Sequence, residues 1–320
     1  MAESNSSVEL REVNAVMLCP TRVSRLSLRA ALLCTVMALL LSPSVSADGG
    51  SSAIYVVKPD GTGLTRVAGG IQTASLYHPT WAPDGKRLAV AASVQLPDGT
   101  EKNGLWTLKV DGTDEAYVTE AAAADAQPDW APSGVKLVFA LVTGSLGDGP
   151  ATQLAVADGQ TVTQLTQEPS RRYAGPAWSP DGERIAFSVF DRADGSGIYV
   201  MSADGGEATR LTHQADHGPA WSPDASRVLF VRAAGPEPGL YVMRSDGTEL
   251  VRLTGGRDDR APDWAPDGKV IVYSHREAGG WRVYLIAADG SNPRPLFPNA
   301  EQLGTDPAWS PDGQWIAFSG

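Results

Sequence analysis

Gly175-Pro-Ala-Trp-Ser-Pro-Asp-Gly-Glu-Arg-Ile-Ala-Phe187 is one copy of a unit that occurs six times in the chain. The tryptophans of the six copies are Trp81, Trp130, Trp178, Trp221, Trp264 and Trp309. Successive copies therefore lie 43 to 49 residues apart, and each tryptophan has one proline two residues before it and another two residues after it. A period of roughly 40–45 residues is typical of a four-stranded propeller blade. The repeat predicts a β-propeller with one blade per copy.

Turn residues divide each copy into four apolar runs, which we label strands A to D. Strand A passes through the tryptophan, and the Pro-Asp-Gly that follows it, as in residues 180–182, favours a type I turn. Ala225 replaces the glycine in the fourth copy, so we expect that turn to be strained or differently shaped. Strands B and C are apolar runs, and a second Asp-Gly before strand D favours a hairpin.

The two ends of the repeat region are half-blades. The chain opens on a C–D pair, residues 54–67, and ends on an A–B pair, residues 307–319. Neither pair can bury itself alone, so we expect them to join in one composite blade that leaves no free sheet edge. The predicted fold is all-β. It is a six-bladed β-propeller of four-stranded antiparallel blades, with its ring closed by the N-terminal C–D strands pairing with the C-terminal A–B strands.

The repeat also resembles a known family. Pro-x-Trp-Ser-Pro-Asp-Gly, followed by Ile-Ala-Phe, Ile-Tyr-Val and Asp-Gly, is similar to the repeat of the TolB-type six-bladed β-propeller. The resemblance covers the chain from about Ser52 to Gly320 and implies the propeller fold rather than one particular function. TolB-like proteins carry a further α/β domain ahead of the propeller, and we expect none in this chain.

The first 47 residues have the pattern of a signal peptide. Arg22, Arg25 and Arg29 precede an apolar run over residues 30–41, and small residues before Asp48 suit cleavage. That run is shorter than the roughly 20 residues that span a bilayer. The sequence therefore predicts a leader over residues 1–47, a single propeller domain over residues 48–320, a periplasmic or extracellular location and no membrane span.

Composition excludes several classes of function. Asp and Glu outnumber Lys and Arg by 37 to 26, which gives a net charge of −11, and an acidic surface repels nucleic acid. Both cysteines, Cys19 and Cys34, lie in the leader, so we expect no disulfide or cysteine metal site in the mature chain. The sequence contains no Gly-x-Ser-x-Gly elbow, phosphate loop, zinc helix or dinucleotide fingerprint. We predict no catalytic residue and no cofactor.

The irregular loops provide the candidates for partner binding. In an antiparallel blade the D-to-A and B-to-C connections emerge on one face, which we call the loop face, and the A–B and C–D turns on the opposite turn face. Variable loops on a rigid scaffold commonly carry binding residues. The loop-face candidates are Tyr77, His78, Arg171, Arg172, Tyr173, His213, His217, Arg257 and Arg260. The alternative is that these loops are only solvated.

Asp129 and Asp263 are candidates for the central channel. They stand between the proline and the tryptophan of copies two and five, which are diametrically opposed in a ring of six. If this position points inward, the two carboxylates face one another and suit a cation or a basic peptide end. The alternative, which we favour, is that each accepts a backbone N–H at the strand end.

Two further residue groups are interpreted conservatively. His213 and His217 have the spacing of metal ligands, with Asp216 between them, but we favour ordinary loop histidines and predict no metal. The six tryptophans are expected to pack between adjacent sheets rather than to stack on a ligand.

These observations predict a TolB-like propeller that is secreted or periplasmic and binds a protein or peptide partner in the cell envelope or outside the cell. We expect a monomer without enzyme activity. One alternative is a secreted enzyme, lactonase-like or polysaccharide-lyase-like, with a metal at the channel mouth. The other is a glycan-binding propeller that uses Tyr77, Tyr173 and Trp281 as stacking platforms.

Overall fold

The computed structural model describes residues 52–67, 74–95, 99–120, 126–146, 149–191, 195–297 and 304–320. Within these ranges the chain forms twenty-four β-strands and no helix. The predicted leader over residues 1–47 lies outside the described residues.

The strands, in chain order, are β1 Ile54–Val57, β2 Thr65–Arg66, β3 Ala74–Trp81, β4 Arg87–Gln95, β5 Glu101–Lys109, β6 Ala116–Thr119, β7 Asp129–Trp130, β8 Lys136–Leu146, β9 Gly149–Asp158, β10 Thr161–Gln164, β11 Arg172–Trp178, β12 Arg184–Phe190, β13 Gly197–Ser202, β14 Thr209–Arg210, β15 Asp216–Trp221, β16 Arg227–Arg232, β17 Gly239–Arg244, β18 Val251–Arg252, β19 Asp259–Trp264, β20 Val270–Glu277, β21 Gly280–Ala287, β22 Arg294–Pro295, β23 Thr305–Trp309 and β24 Ile316–Ser319.

These strands form six antiparallel four-stranded sheets, each of which is one blade. Five blades use consecutive strands, and we number them 1 to 5 from the blade β3–β6 to the blade β19–β22. Blade 6 is composite: β1 pairs with β24, with Tyr55 opposite Phe318, so that the order is β2-β1-β24-β23. The predicted all-β, six-bladed propeller is confirmed.

The core lies between neighbouring blades. The strand-B aromatics Phe139, Phe187, Phe230 and Phe318 are all fully buried. One cluster packs Trp221 and Phe230 of blade 4 against Ile198 of blade 3. Because each blade completes its core with side chains of the next, the ring stabilises all of its members.

The repeated A–B turns are the ones that Pro-Asp-Gly predicts. In blade 3, the Gly182 N–H donates to the Ser179 carbonyl at 2.8 Å, and Gly182 has a φ of +75°. The turn of blade 4 keeps this shape, with the Ala225 N–H donating to the Ser222 carbonyl at 2.8 Å. The expected difference in shape is therefore absent. Strain is present instead, because Ala225 has a φ of +57°, where a Cβ is disfavoured.

Candidate functional site

The centre of the ring holds a cavity of about 510 Å³ lined by residues of all six blades. The lining residues belong to strand A, to the A–B turn that follows it or, for Gln127 and Pro128 of blade 2, to the segment directly before strand A. The repeat Pro-x-Trp-x-Pro therefore builds the wall of the channel, with the prolines supplying rigid apolar surface. The channel is the part of the molecule where six equivalent positions converge on one space.

Six residues that precede the first proline form a collar at the end of this cavity nearer the loop face. They are His78, Gln127, Gly175, Gly218, Ala261 and Asp306. All six have a φ between 44° and 61°. In blades 1, 3, 4, 5 and 6 the pairing register with strand B shifts across this residue, as in a β-bulge. Positive φ in non-glycine residues is strained backbone, which is concentrated at functional sites.

The collar is polar on one half and bare on the other. Asp306, His78 and Gln127 come from consecutive blades, and the His78 Nδ1 lies 3.4 Å from the Asp306 Oδ1. The opposite half consists of two glycines and an alanine. Side chains therefore come from one side of the channel entrance, and that of Gln127 reaches the glycine half, where a Cβ on Gly175 would lie 2.9 Å from its Oε1.

Asp129 and Asp263 lie in the wall of the channel below the collar. The Asp129 Oδ2 accepts the backbone N–H of Trp178 in the next blade at 2.7 Å. The Asp263 Oδ2 likewise accepts the N–H of Trp309 in the next blade at 2.7 Å. Both carboxylates thus accept a backbone N–H, as the favoured alternative in the sequence analysis expects. The N–H belongs to the next blade, and both side chains also line the cavity.

The channel raises the pKa of both carboxyl groups. Burial raises the pKa of Asp129 to about 7 in spite of the hydrogen bond from Trp178, and the negative charge of Asp263 raises it further. Burial also raises the pKa of Asp263 to about 6. The pair therefore exchanges protons near neutral pH, and a cationic group in the channel would favour the charged form of both.

The repeat tryptophans hold the blade boundaries around the channel. The Trp221 indole donates to the Ala177 carbonyl of blade 3 at 3.1 Å, and the guanidinium of Arg184 lies 4.5 Å from its ring centroid. The Trp81 indole donates to the Ala308 carbonyl of blade 6 at 3.1 Å. These contacts agree with the predicted packing role, although the edges of the rings also line the cavity.

Four of the nine loop-face candidates are buried. Tyr77, Arg172, Tyr173 and His217 are 9%, 4%, 5% and 8% exposed. The Tyr173 ring lies 5.8 Å from that of Phe187 inside the core of blade 3. The expectation that these side chains stand on the surface is wrong, because they lie on the buried part of strand A. Tyr77 and Tyr173 are for the same reason not exposed platforms for a glycan.

The other five candidates occupy different environments. His213 and Arg257 are exposed, and His78 belongs to the collar. Arg171 forms ion pairs with Glu168 at 3.2 Å and Asp191 at 3.1 Å. Arg260 is partly buried, and its guanidinium lies 3.8 Å from the ring centroid of Trp281. These residues share the loop face but do not form one cluster.

The histidine pair does not form a metal centre with the aspartate between its members. Both carboxylate oxygens of Asp216 accept hydrogen bonds from Arg232, each at 2.8 Å. His217 is buried, whereas His213 is exposed. Across the described ranges, no three His, Cys, Asp or Glu side chains converge closely enough to hold a metal ion.

Sequence reasoning missed the collar and one buried pair. His275 Nδ1 lies 2.7 Å from Oδ1 of Asp259, which is 4% exposed and also accepts a hydrogen bond from Thr254. The register of β19 with β20 places Asp259 opposite His275, which the sequence alone does not show. The collar did leave a signal, since its members are the residue before the first proline in every copy.

Within the described residues, no helix has the length and hydropathy needed to cross a membrane. The fold and its channel define the class of the protein as a six-bladed β-propeller whose repeats converge on a central cavity.

Comparison with known proteins agrees with this class. The family model described as the TolB beta propeller domain matches residues 141–312, over half of the chain. The protein therefore belongs to the TolB beta propeller domain family. The structure of a putative TolB from Agrobacterium tumefaciens has a TM-score of 0.67 and 25% identity, covering 84% of this chain and 97% of that one. TolB from Acinetobacter baumannii has a TM-score of 0.66 and 19% identity, covering 93% of this chain and 75% of that one.

Two curated relatives match shorter segments. The uncharacterized peptidase YuxL of Bacillus subtilis is 31% identical over 116 residues, which cover 36% of this chain and 17% of the peptidase. The uncharacterized protein Atu1656 of Agrobacterium fabrum is 30% identical over 116 residues, which cover 34% of this chain and 38% of that protein. The match thus spans well under two thirds of each relative.

Proposed function

We propose that this propeller binds a protein or peptide partner through its central channel and the surrounding loop face. The observation that carries the proposal is the channel itself, which has a cavity of about 510 Å³, a collar with polar side chains on one half and two opposed carboxylates. Its volume lies in the range of roughly 300–1,000 Å³ that is usual for ligand pockets. A space of this size suits a short chain segment rather than a folded domain.

The chemistry of the wall favours a basic segment. Prolines and tryptophans offer apolar surface to an aliphatic stem, and the Asp129 and Asp263 carboxylates offer negative charge at its end. A lysine or arginine side chain combines both features, since it can bury its stem while its charged head meets a partner. Binding a cation there would also offset the mutual repulsion of the two carboxylates.

The proposal includes an envelope or extracellular location and no catalytic step of its own. The location rests on the signal-peptide pattern of residues 1–47. The match to a peptidase covers 17% of that protein, so its activity is not carried over to this chain. A glycan partner is less well supported than a protein, because two of its three expected aromatic platforms, Tyr77 and Tyr173, are buried.

Capture of partners in the native organism tests this proposal. We expect the double variant Asp129→Asn, Asp263→Asn to lose most of its crosslinked protein partner, since the amide keeps the shape of the carboxyl group without its charge. The control is Lys86→Gln, because Lys86 is exposed on the turn face. Capture that persists in the channel variant but disappears in the Lys86 variant would place binding on the opposite face.

A further inference from the structure

Blade 5 carries an arginine–tryptophan stack on the loop face. The Arg260 guanidinium lies 3.8 Å from the ring centroid of Trp281, and that of Arg276 lies 5.9 Å from it. The Nε and Nη2 of Arg260 both donate to the Thr305 hydroxyl of blade 6, the Nε at 3.1 Å. This hydrogen bonding and the stacking hold Arg260 in place across a blade boundary.

Three other arginines of the loop face have acidic partners, which the arginines of this region lack. Arg171 pairs with Glu168, Arg232 with Asp216 and Arg282 with Glu277. By contrast, no acidic side chain in the described part of the chain forms an ion pair with the arginines at positions 257, 260 and 276.

The neighbouring acids are mostly occupied. Asp259 accepts hydrogen bonds from His275 and Thr254, and Glu277 accepts them from Arg282 and Tyr284. Asp258 is the exposed acid of the same loop and offsets one of the three arginine charges. Among the described residues, the region therefore keeps excess positive charge in a protein whose net charge is −11.

A stacked guanidinium still has in-plane N–H donors, and its fork geometry matches a carboxylate. Arg276 lies at the same ring and Arg257 comes three residues before Arg260, and both are exposed, so one carboxylate cannot use all three cations. Several carboxylates spaced along an extended chain can contact all three arginines. Net negative charge elsewhere on the surface would repel such a chain, which favours binding at this region.

We propose that the blade 5 cluster, defined by Arg257, Arg260, Arg276 and Trp281, binds an acidic peptide segment of the partner. This inference rests on the proposed function and adds a second contact outside the channel. The partner then carries a basic group for the channel and an acidic segment for blade 5. This arrangement of opposite charges fixes the orientation in which the partner docks.

A direct binding measurement with the full chain tests the cluster. The probe is a synthetic eight-residue peptide of alternating Glu and Gly with blocked termini, titrated calorimetrically beside its Gln–Gly analogue. We expect the Glu peptide to bind, the Gln peptide to bind at least about tenfold more weakly, and added salt to weaken the Glu peptide. Equal binding of the two peptides, or binding of neither, would overturn the proposal.

Variants locate the contact. We expect the double variant Arg260→Gln, Arg276→Gln to weaken the Glu peptide about tenfold. The matched control is Arg227→Gln, an exposed arginine of the turn face without an ion pair in the described residues, and it should change affinity less than twofold. An equal loss in the control would mean that only net charge is sensed, and would overturn the site.

Three further measurements keep the test decisive. If loss of the Arg260 contact to Thr305 destabilises the fold, the affinity of the single variant Arg276→Gln for the Glu peptide tests the site instead. The Arg276 guanidinium makes no hydrogen bond in the described residues, so this change should leave the fold intact. Tight binding of tri-galacturonate without binding of the Glu peptide would contradict a peptide ligand. Asp129→Asn with Asp263→Asn should leave peptide binding unchanged, so failure of the channel proposal and failure of this one are distinguishable.

Discussion

Asp224 of the turn face and Asp129 of the channel have pKa values shifted in opposite directions, because hydrogen bonds stabilise the charged form of the first and burial destabilises that of the second. Asp224 accepts hydrogen bonds from the Ser222 hydroxyl and from the hydroxyl and backbone N–H of Ser226, which lower its pKa to about 2. Burial in the channel instead raises the pKa of Asp129 to about 7. The turn aspartates are therefore fixed charges, whereas the channel aspartates respond to what enters the channel.

The origin of the hydrogen bonds explains this difference. A turn aspartate is satisfied by residues two positions away, as Asp181 is by Ser179 and Glu183. Asp129 is satisfied by Trp178, 49 residues away in the next blade. The turn face is thus built from local contacts that recur in most blades, while the channel exists only when the ring is assembled.

The largest expected effect is loss of a channel tryptophan. Trp221→Ala should lower the free energy of unfolding by about 3–5 kcal/mol, because Trp221 is 6% exposed and bridges blades 3 and 4. Asp224→Ala on the turn face should cost about 1–2 kcal/mol for its lost hydrogen bonds. Denaturant unfolding of both variants measures the difference. Equal losses would show that the turns stabilise the ring as much as its blade boundaries do.

The difference between contacts local in the sequence and contacts between blades also decides what the sequence could predict. The tryptophan spacing and the Pro-Asp-Gly turns are local patterns, and they predicted the blades and the turn that contains Gly182. The burial of Tyr173 depends on contacts with another blade, where its backbone carbonyl accepts a hydrogen bond from Thr152 at 2.8 Å. Position beside a loop suggested exposure, and nothing within the repeat showed that blade 2 would cover this residue.

The candidate site was also predictable only in part: the positions of the channel aspartates followed from the repeat, but the contacts of Arg260 did not. Ring symmetry placed Asp129 and Asp263 opposite one another, since both occupy the same position in copies three blades apart. The stack of Arg260 on Trp281 joins strands A and C of one blade, and its hydrogen bonds reach Thr305 of the next. Side-chain contacts of this kind depend on register and rotamer, which a repeat pattern does not fix.

The pH dependence of stability gives an intermediate effect and separates the two sets of aspartates. The pKa values of Asp129 and Asp263 are about 7 and 6 in the folded state, above the ordinary value of 3.8. The folded state then binds more protons than the unfolded state between about pH 4 and 7, so their contribution to the free energy of unfolding falls as pH rises through this window.

The turn aspartates contribute in the opposite direction. The pKa of Asp224, for example, is lowered to about 2 in the folded state, so the stability that this carboxylate gives is present above the ordinary value and is lost as pH falls towards 2. Urea unfolding from pH 3 to pH 8 measures both trends. Asp129→Asn with Asp263→Asn should flatten the decline between pH 4 and 7, and an unchanged slope would contradict burial as the source of the raised pKa.

The smallest expected effect concerns the one alanine in the repeated turn. Ala225 has a φ of +57°, yet the turn keeps the hydrogen bond from its N–H to the Ser222 carbonyl. Ala225→Gly should raise the free energy of unfolding by about 0.5–1 kcal/mol, since relief of the left-handed strain exceeds the added entropy of the unfolded chain.

The matched control is Gly85→Ala in blade 1, where φ is +66° and a Cβ would meet no atom within 4 Å. That change should cost about as much as Ala225→Gly gains, because both turns are local and their central Pro-Asp-Gly and Pro-Asp-Ala segments differ only at this position. If Ala225→Gly is instead destabilising, the turn of blade 4 depends on the rest of the ring, and the turn face is less self-contained than its hydrogen bonds indicate.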